Sequence, residues 1–293
     1  MKFIASFLLV VLVWLTPVIG QERIAPTRTD VRYGPYERNV LDFWQARSDR
    51  PTPLVVSIHG GGFTKGNKSI SPETLKLCLE NGISVAAISY RYSTQAIAPA
   101  PFHDAARAVQ FLRFKAAEWN LDKTHFGATG GSAGAGISLW LGFHDDLADK
   151  ENNDPVLRES SRIQCMAVFN AQSSYDPRVI MKMFPNASRP PAEGALNHLF
   201  GLQEGADYTQ SPAEKIRLFE EFSPINHVTE DDAPVLVTYR LKMESPPDIH
   251  HPLFGKLLKE KMDAMGLPCE VRTDIKSMAP AQALAFFLRY LKP

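Results

Sequence analysis

Cysteine is scarce: Cys78, Cys165 and Cys269 are odd in number and widely spaced, which excludes a zinc knuckle or a CxxC redox motif and gives a disulfide no support. Each sits in or beside an apolar run, such as Leu77-Cys78-Leu79, so buried free thiols are expected. An excess of charge is also missing, since 32 Lys and Arg balance 32 Asp and Glu. That balance argues against a nucleic-acid or anionic-membrane partner held by bulk charge. Beyond the first twenty residues no run is long and apolar enough to span a bilayer, which takes about 20 residues. Internal repeats and low-complexity tracts are absent, and histidine does not occur after His251.

The 293 residues, 44% hydrophobic and 22% charged, can bury a large core. Residues 1–20 read as a signal peptide: Lys2, an apolar stretch from Phe3 to Leu15, Pro17, then Val18-Ile19-Gly20 with a small residue at the end. The stretch is too short for a span, so the expectation is an exported chain, secreted or periplasmic, with an uncleaved anchor as the alternative. The leader's only charge is Lys2, so a mature chain of residues 21–293 carries one net negative charge.

Two apolar β-branched runs, Leu54-Val55-Val56-Ser57-Ile58 and Ser84 to Tyr90, flank a helical segment at 73–80, the signature of a parallel sheet covered on both faces. An antiparallel leading strand is expected over Asn39 to Trp44. A helix from Pro101 places Phe102, Ala105, Ala106, Val109 and Leu112 on one stripe. Then follow a short strand at 124–129, a helix from Ala133 to about Leu147, a polar loop from Asp145 to Arg162, and a strand from Cys165 to Asn170. Prolines 177, 185, 190, 191, 212 and 224 break up residues 173–232, read as a helical, cap-like insertion over the carboxyl edge of the sheet. Strands at 234–239 and 269–273, with a helix from about Phe254 to Met265 between them and a last helix opened by Pro280, complete the alternation. The fold class is α/β: one doubly wound, mostly parallel sheet.

Gly130-Gly131-Ser132-Ala133-Gly134 satisfies G-x-S-x-G with a strand before it and a helix after it. Tight turns of this kind hold the serine in a strained backbone conformation at a helix amino end, where the dipole favours developing negative charge. An ordinary glycine-rich or phosphate-binding turn is the bland alternative. His59-Gly60-Gly61-Gly62-Phe63 follows the first core strand, and its glycines let backbone N–H groups approach a substrate oxygen. The N–H groups of Gly61, Gly62 and Ala133 are the candidate oxyanion donors, each worth about 3 kcal/mol in a transition state. The Walker lysine–serine pair that a phosphate loop needs is absent.

With Tyr33-Gly34, Leu41-Asp42-Phe43-Trp44, Lys65-Gly66-Asn67-Lys68, His103 to Val109 and Ser223-Pro224-Ile225-Asn226-His227-Val228, these motifs make the chain resemble the HGGG-bearing esterase and lipase branch of the α/β-hydrolases, especially bacterial ferulic-acid-esterase-like proteins. The resemblance covers nearly the whole mature chain. It implies the α/β-hydrolase fold and hydrolysis of a small-molecule or polysaccharide-linked ester through an acyl-enzyme at Ser132, with no cofactor and no metal; it carries no oligomeric state. It also implies an acid after the strand at 235–239. Counting from Pro234 gives Glu244 and counting back from the next helix gives Asp248, which is favoured because the helix start is the better landmark.

The base is where the pattern departs from the family. The loop after the last strand, Ile275-Lys276-Ser277-Met278-Ala279-Pro280, has no histidine. One reading is that His250 or His251, beside the acid loop, serves instead, since triads are defined by geometry. His59, His103 and His227 have family counterparts, His59 as a brace of the oxyanion loop; His125, His144 and His198 have no motif behind them. A second reading is a weakened enzyme, with Lys276 as a base only if burial lowers its pKa. A third is a non-catalytic binding protein that keeps the pocket. A metal site from Asp248, His250 and His251 would have a short ligand set drawn from one loop.

Overall fold

The computed structural model describes residues 24–275 and 279–291. The expected leader at 1–20 and Lys276 lie outside these residues.

Strands β1 (Arg28–Arg32), β2 (Val40–Trp44), β3 (Thr52–Ile58), β4 (Ser84–Ile88), β5 (Leu121–Gly131), β6 (Cys165–Phe169), β7 (Val235–Thr238) and β8 (Cys269–Arg272) form one sheet in the order β1-β2-β4-β3-β5-β6-β7-β8. β1 and β2 are antiparallel and the other six strands run parallel. Because side chains alternate across a strand, β3 divides itself between two cores. Leu54, Val56 and Ile58 face a layer built by α2 (Ala100–Phe114), α3 (Ala133–Phe143) and α7 (Leu253–Ala264). Val55 points the other way, toward α1 (Pro72–Glu80) and α8 (Pro280–Tyr290). The apolar stripe Phe102, Ala105, Ala106, Val109 and Leu112 is buried as its spacing predicts.

Two boundaries and one strand depart most from the sequence reading. α3 ends at Phe143 because His144 turns extended and the Asp146 carboxylate takes the N–H groups of Ala148 and Ser161, giving the backbone an alternative to further helix. β5 begins at Leu121, paired with Thr52, where only a later start at 124 was expected. β1 is an edge strand of sequence RTDVR whose polar, mostly exposed residues carry no apolar alternation to read. All three cysteines are buried free thiols, and burial pushes Cys78 and Cys269 up to about 12.

Between β6 and β7 the chain forms α4 (Pro177–Met183), α5 (Glu193–Phe200), α6 (Ala213–Glu221) and a 3-10 turn at Pro224–His227. Buried Ser223 ties the two ends of this insertion together: its Oγ accepts from the N–H groups of Tyr175 (2.9 Å) and Asp176 (3.1 Å) and donates to Phe219 O (2.6 Å). Other residues of the resemblance also brace the fold. Asp104 receives Arg91 through its backbone N–H, Nε and Nη2, and Lys68 pairs with Asp42 at 2.7 Å. Among the described residues no helix is long and apolar enough to cross a membrane.

Candidate active site

Ser132 stands between β5 and α3 with φ 54° and ψ −122°, a conformation that costs a non-glycine residue about 1–3 kcal/mol and is held by its surroundings. The glycines of the motif show how. A Cβ on Gly130 would lie 2.5 Å from Ile58 O, and one on Gly134 would lie 2.0 Å from the same atom, so only glycine lets the elbow pack against the end of β3. Gly131 by contrast has nothing closer than 3.8 Å. The Ser132 N–H donates to Phe169 O at 2.9 Å, which anchors the turn to β6.

The next loop along the sheet edge carries the oxyanion candidates. Gly61 and Gly62 both have positive φ, 105° and 59°, and a Cβ on Gly61 would sit 2.2 Å from Lys65 O. Their N–H groups make no hydrogen bond to described residues. Ala133 opens α3 ahead of its first helical bond, from Gly136 N–H to Ser132 O. His59 braces the loop from outside: Nδ1–H donates to Gly60 O (2.8 Å), Nε2 accepts from Arg38 (3.4 Å), and the ring stacks on Tyr90. Burial, with Arg38 alongside, pushes its pKa down to about 4, so it is a neutral strut at ordinary pH.

The decisive contact comes from the loop after β7. His250 Nε2 lies 2.9 Å from Ser132 Oγ, and its Nδ1 lies 3.2 Å from Asp248 Oδ1. Asp248 Oδ1 also accepts the His250 backbone N–H at 2.7 Å, an Asx-type turn that fixes the two residues relative to each other. Two outside ties position this loop. Asn170 Oδ1 accepts the Arg240 N–H, and Gln172 Nε2 donates to Ile249 O. Burial lowers the His250 pKa, Asp248 opposes that shift and Arg240 adds to it, so the ring is neutral and able to accept a proton.

His251, the second candidate, is turned away. Nε2–H donates to Ser245 O (3.0 Å), Nδ1 accepts from Leu253 N–H (3.1 Å), and the buried ring packs edge-on against Phe184. Both its nitrogens are therefore committed to holding the loop. Glu244 is exposed. No cluster of three metal-ligating groups forms around Asp248 among the described residues.

Ser132, His250, Gly61, Gly62 and Ala133 open into one cavity of about 560 Å³. Its walls are mainly apolar, from Phe63, Phe169, Tyr175 and Ile249, and the insertion closes it with Ala192, Ala195, Leu196 and His198. Of the six aromatics in the insertion, Tyr175 reaches this cavity; Phe184, Phe200, Tyr208, Phe219 and Phe222 are buried away from it.

The chain matches the family described as BD-FAE over residues 41–242. Esterase LipQ of Mycobacterium tuberculosis is 28% identical over 247 residues, covering 81% of this chain and 54% of LipQ. The chain spans about half the length of the curated relatives it matches. Among solved structures, a truncated carbohydrate esterase from gut microbiota superposes with a TM-score of 0.70 at 20% identity, covering 89% of this chain and 95% of that one. The propionate-bound esterase Est2 of Thermogutta terrifontis gives 0.65 at 18% identity, covering 90% and 95%. At such identities the two structures attest the α/β-hydrolase fold alone. The family match takes in β2, the glycine loop, the elbow and the whole insertion and stops just ahead of Asp248; covering more than half of its length, it shows that this chain belongs to the BD-FAE family.

Proposed function

We propose that the protein is a serine hydrolase of carboxylic esters that works through an acyl-enzyme at Ser132, with His250 as base and Asp248 as acid. The observation that carries this reading is the 2.9 Å contact between His250 Nε2 and Ser132 Oγ, in a cavity shared with three candidate oxyanion donors.

In this mechanism Ser132 Oγ attacks the ester carbonyl as His250 Nε2 takes its proton. Asp248 holds the Nδ1–H and stabilises the imidazolium that forms. The N–H groups of Gly61, Gly62 and Ala133 receive the developing oxyanion, in a cavity whose apolar walls strengthen those bonds. Collapse of the tetrahedral intermediate breaks the C–O bond, and His250 returns its proton to the departing alcohol. Water, deprotonated by the same ring, then releases the acid. The volume suits a small acyl group or the ester end of a polysaccharide substituent. Export, supported by the leader pattern of residues 1–20, would bring the enzyme to such esters outside the cytoplasm.

A fluorophosphonate probe tests the reading. Labelling of the wild-type chain and its loss in Ser132→Ala are expected, together with hydrolysis of p-nitrophenyl acetate. Absence of labelling in the wild type would refute the nucleophile.

A further inference from the structure

At the far end of α3 from Ser132, three residues that the ester chemistry does not use converge. His144 directly follows α3, Glu221 ends α6, and His227 ends the 3-10 turn after it. One ligand atom from each, two ring nitrogens and a carboxylate oxygen, lie within 4.8 Å of one another.

The hydrogen bonds around them fix the tautomers. His144 Nδ1 faces Asp145 O at 2.8 Å, and its Nε2 faces Glu221 Oε1 at 3.0 Å. Both are oxygens that only accept, whereas a neutral imidazole has a single proton to give. With Nδ1–H donating to the carbonyl, Nε2 turns its lone pair toward the carboxylate, and a metal ion between the two would satisfy both. His227 Nε2–H donates to Glu221 O at 2.5 Å, which leaves Nδ1 with that ring's lone pair. Anchoring of the distal N–H by a backbone carbonyl is how ligating histidines are oriented in metal centres. Trp140 covers one side, its ring centroid 4.4 Å from that of His144 and its Nε1–H donating to the same Glu221 carbonyl.

We propose that His144, Glu221 and His227 form a binding site for a divalent transition metal, Zn²⁺ by preference, that fastens the insertion to the nucleophile helix. Two imidazoles and one carboxylate are a zinc ligand set with a fourth position for water. With metal–ligand distances of about 2.0–2.2 Å, the three ligand atoms would draw to about 3.4 Å apart. Side-chain rotation supplies that contraction, because all three residues sit at the ends of their elements.

Titration of the metal-free full chain with Co²⁺ is the direct test. One equivalent should produce the visible d–d absorption of a low-symmetry site, and Zn²⁺ should displace it. Zn²⁺ at a hundredfold excess over its Kd should raise Tm by about 5 °C or more. His227→Ala and Glu221→Gln should each weaken binding at least tenfold, while His250→Ala leaves it unchanged. A wild-type protein with neither Co²⁺ absorption nor a Tm shift overturns the site. Binding undiminished in both His227→Ala and Glu221→Gln overturns it equally.

Discussion

Replacing His250 by alanine removes the only imidazole that contacts Ser132 among the described residues, and the size of the effect can be worked from the site. The ring makes two contacts that matter, with Oγ at 2.9 Å and with the Asp248 carboxylate at 3.2 Å, and both act on the same proton transfer. Loss of the base from a serine hydrolase costs up to about 10⁶ in turnover, or about 8 kcal/mol, because nucleophile and base work as one unit. What persists is the contribution of the oxyanion donors and of binding, about 10³–10⁴ over water. As the proposed acid, Asp248 should contribute less than a buried triad acid would. Its side chain is 48% exposed, so solvent screens its field, and Asp248→Asn should cost about 10²-fold. His251→Ala is the discriminating comparison, since it sits next in sequence yet holds the loop and not the proton. It should lower Tm through its two lost hydrogen bonds while keeping kcat within about tenfold. Initial rates on p-nitrophenyl acetate at pH 7.5, with Tm measured alongside, separate the three variants. If His250→Ala keeps more than a hundredth of wild-type kcat, or if His251→Ala falls as far as His250→Ala, the assignment of the base is wrong.

The elbow should discriminate between its own glycines: Gly134→Ala, forced to within 2.0 Å of a backbone oxygen, should cost about 3 kcal/mol or more by thermal or urea unfolding, whereas Gly131→Ala, with 3.8 Å of clearance, should stay within about 1 kcal/mol. Equal losses would contradict the packing argument. Ser223→Ala strands the buried N–H of Tyr175 and leaves that of Asp176 with Ser174 Oγ alone, so a loss of about 2 kcal/mol and a drop in Tm of about 4–8 °C are expected by calorimetry. The pH profile should follow His250, whose active form is neutral and whose pKa is held below 6.5 by burial and by Arg240. kcat/KM should therefore be at its plateau near neutrality and fall on acidification below pH 6.5; a midpoint above 7 would refute the assigned environment.

Local sequence was enough for the elements that depend on period and chain stiffness. The β-branched runs of β3 and β4, the stripe on α2, the proline that opens α8 and the glycines at 130 and 134 each state their own requirement, because strand alternation, helical spacing and the space for a Cβ are short-range properties. The turn at Ser132 and the glycine loop at 59–63, which carry the proposed nucleophile and oxyanion donors, were legible for the same reason. β1 was not, since an exposed edge strand needs no apolar face to form.

The proposed base is picked out by tertiary structure alone. β7 and β8 are neighbouring parallel strands, so the loops that leave them open side by side at the same edge, a strand spacing of about 4.8 Å apart. A histidine on the longer loop after β7 can thus occupy the place normally filled from the loop after β8. Sequence supplied two adjacent candidates, His250 and His251, and could not choose between them. Successive residues in a turn point in different directions, and which one meets Ser132 depends on Asp248 closing the turn, on Ser245 within the loop, and on Asn170 and Gln172 tying it down from elsewhere in the chain. Those partners are up to about 80 residues away, beyond any local pattern, and their directional hydrogen bonds are what turn one ring toward Ser132 and the other into the core.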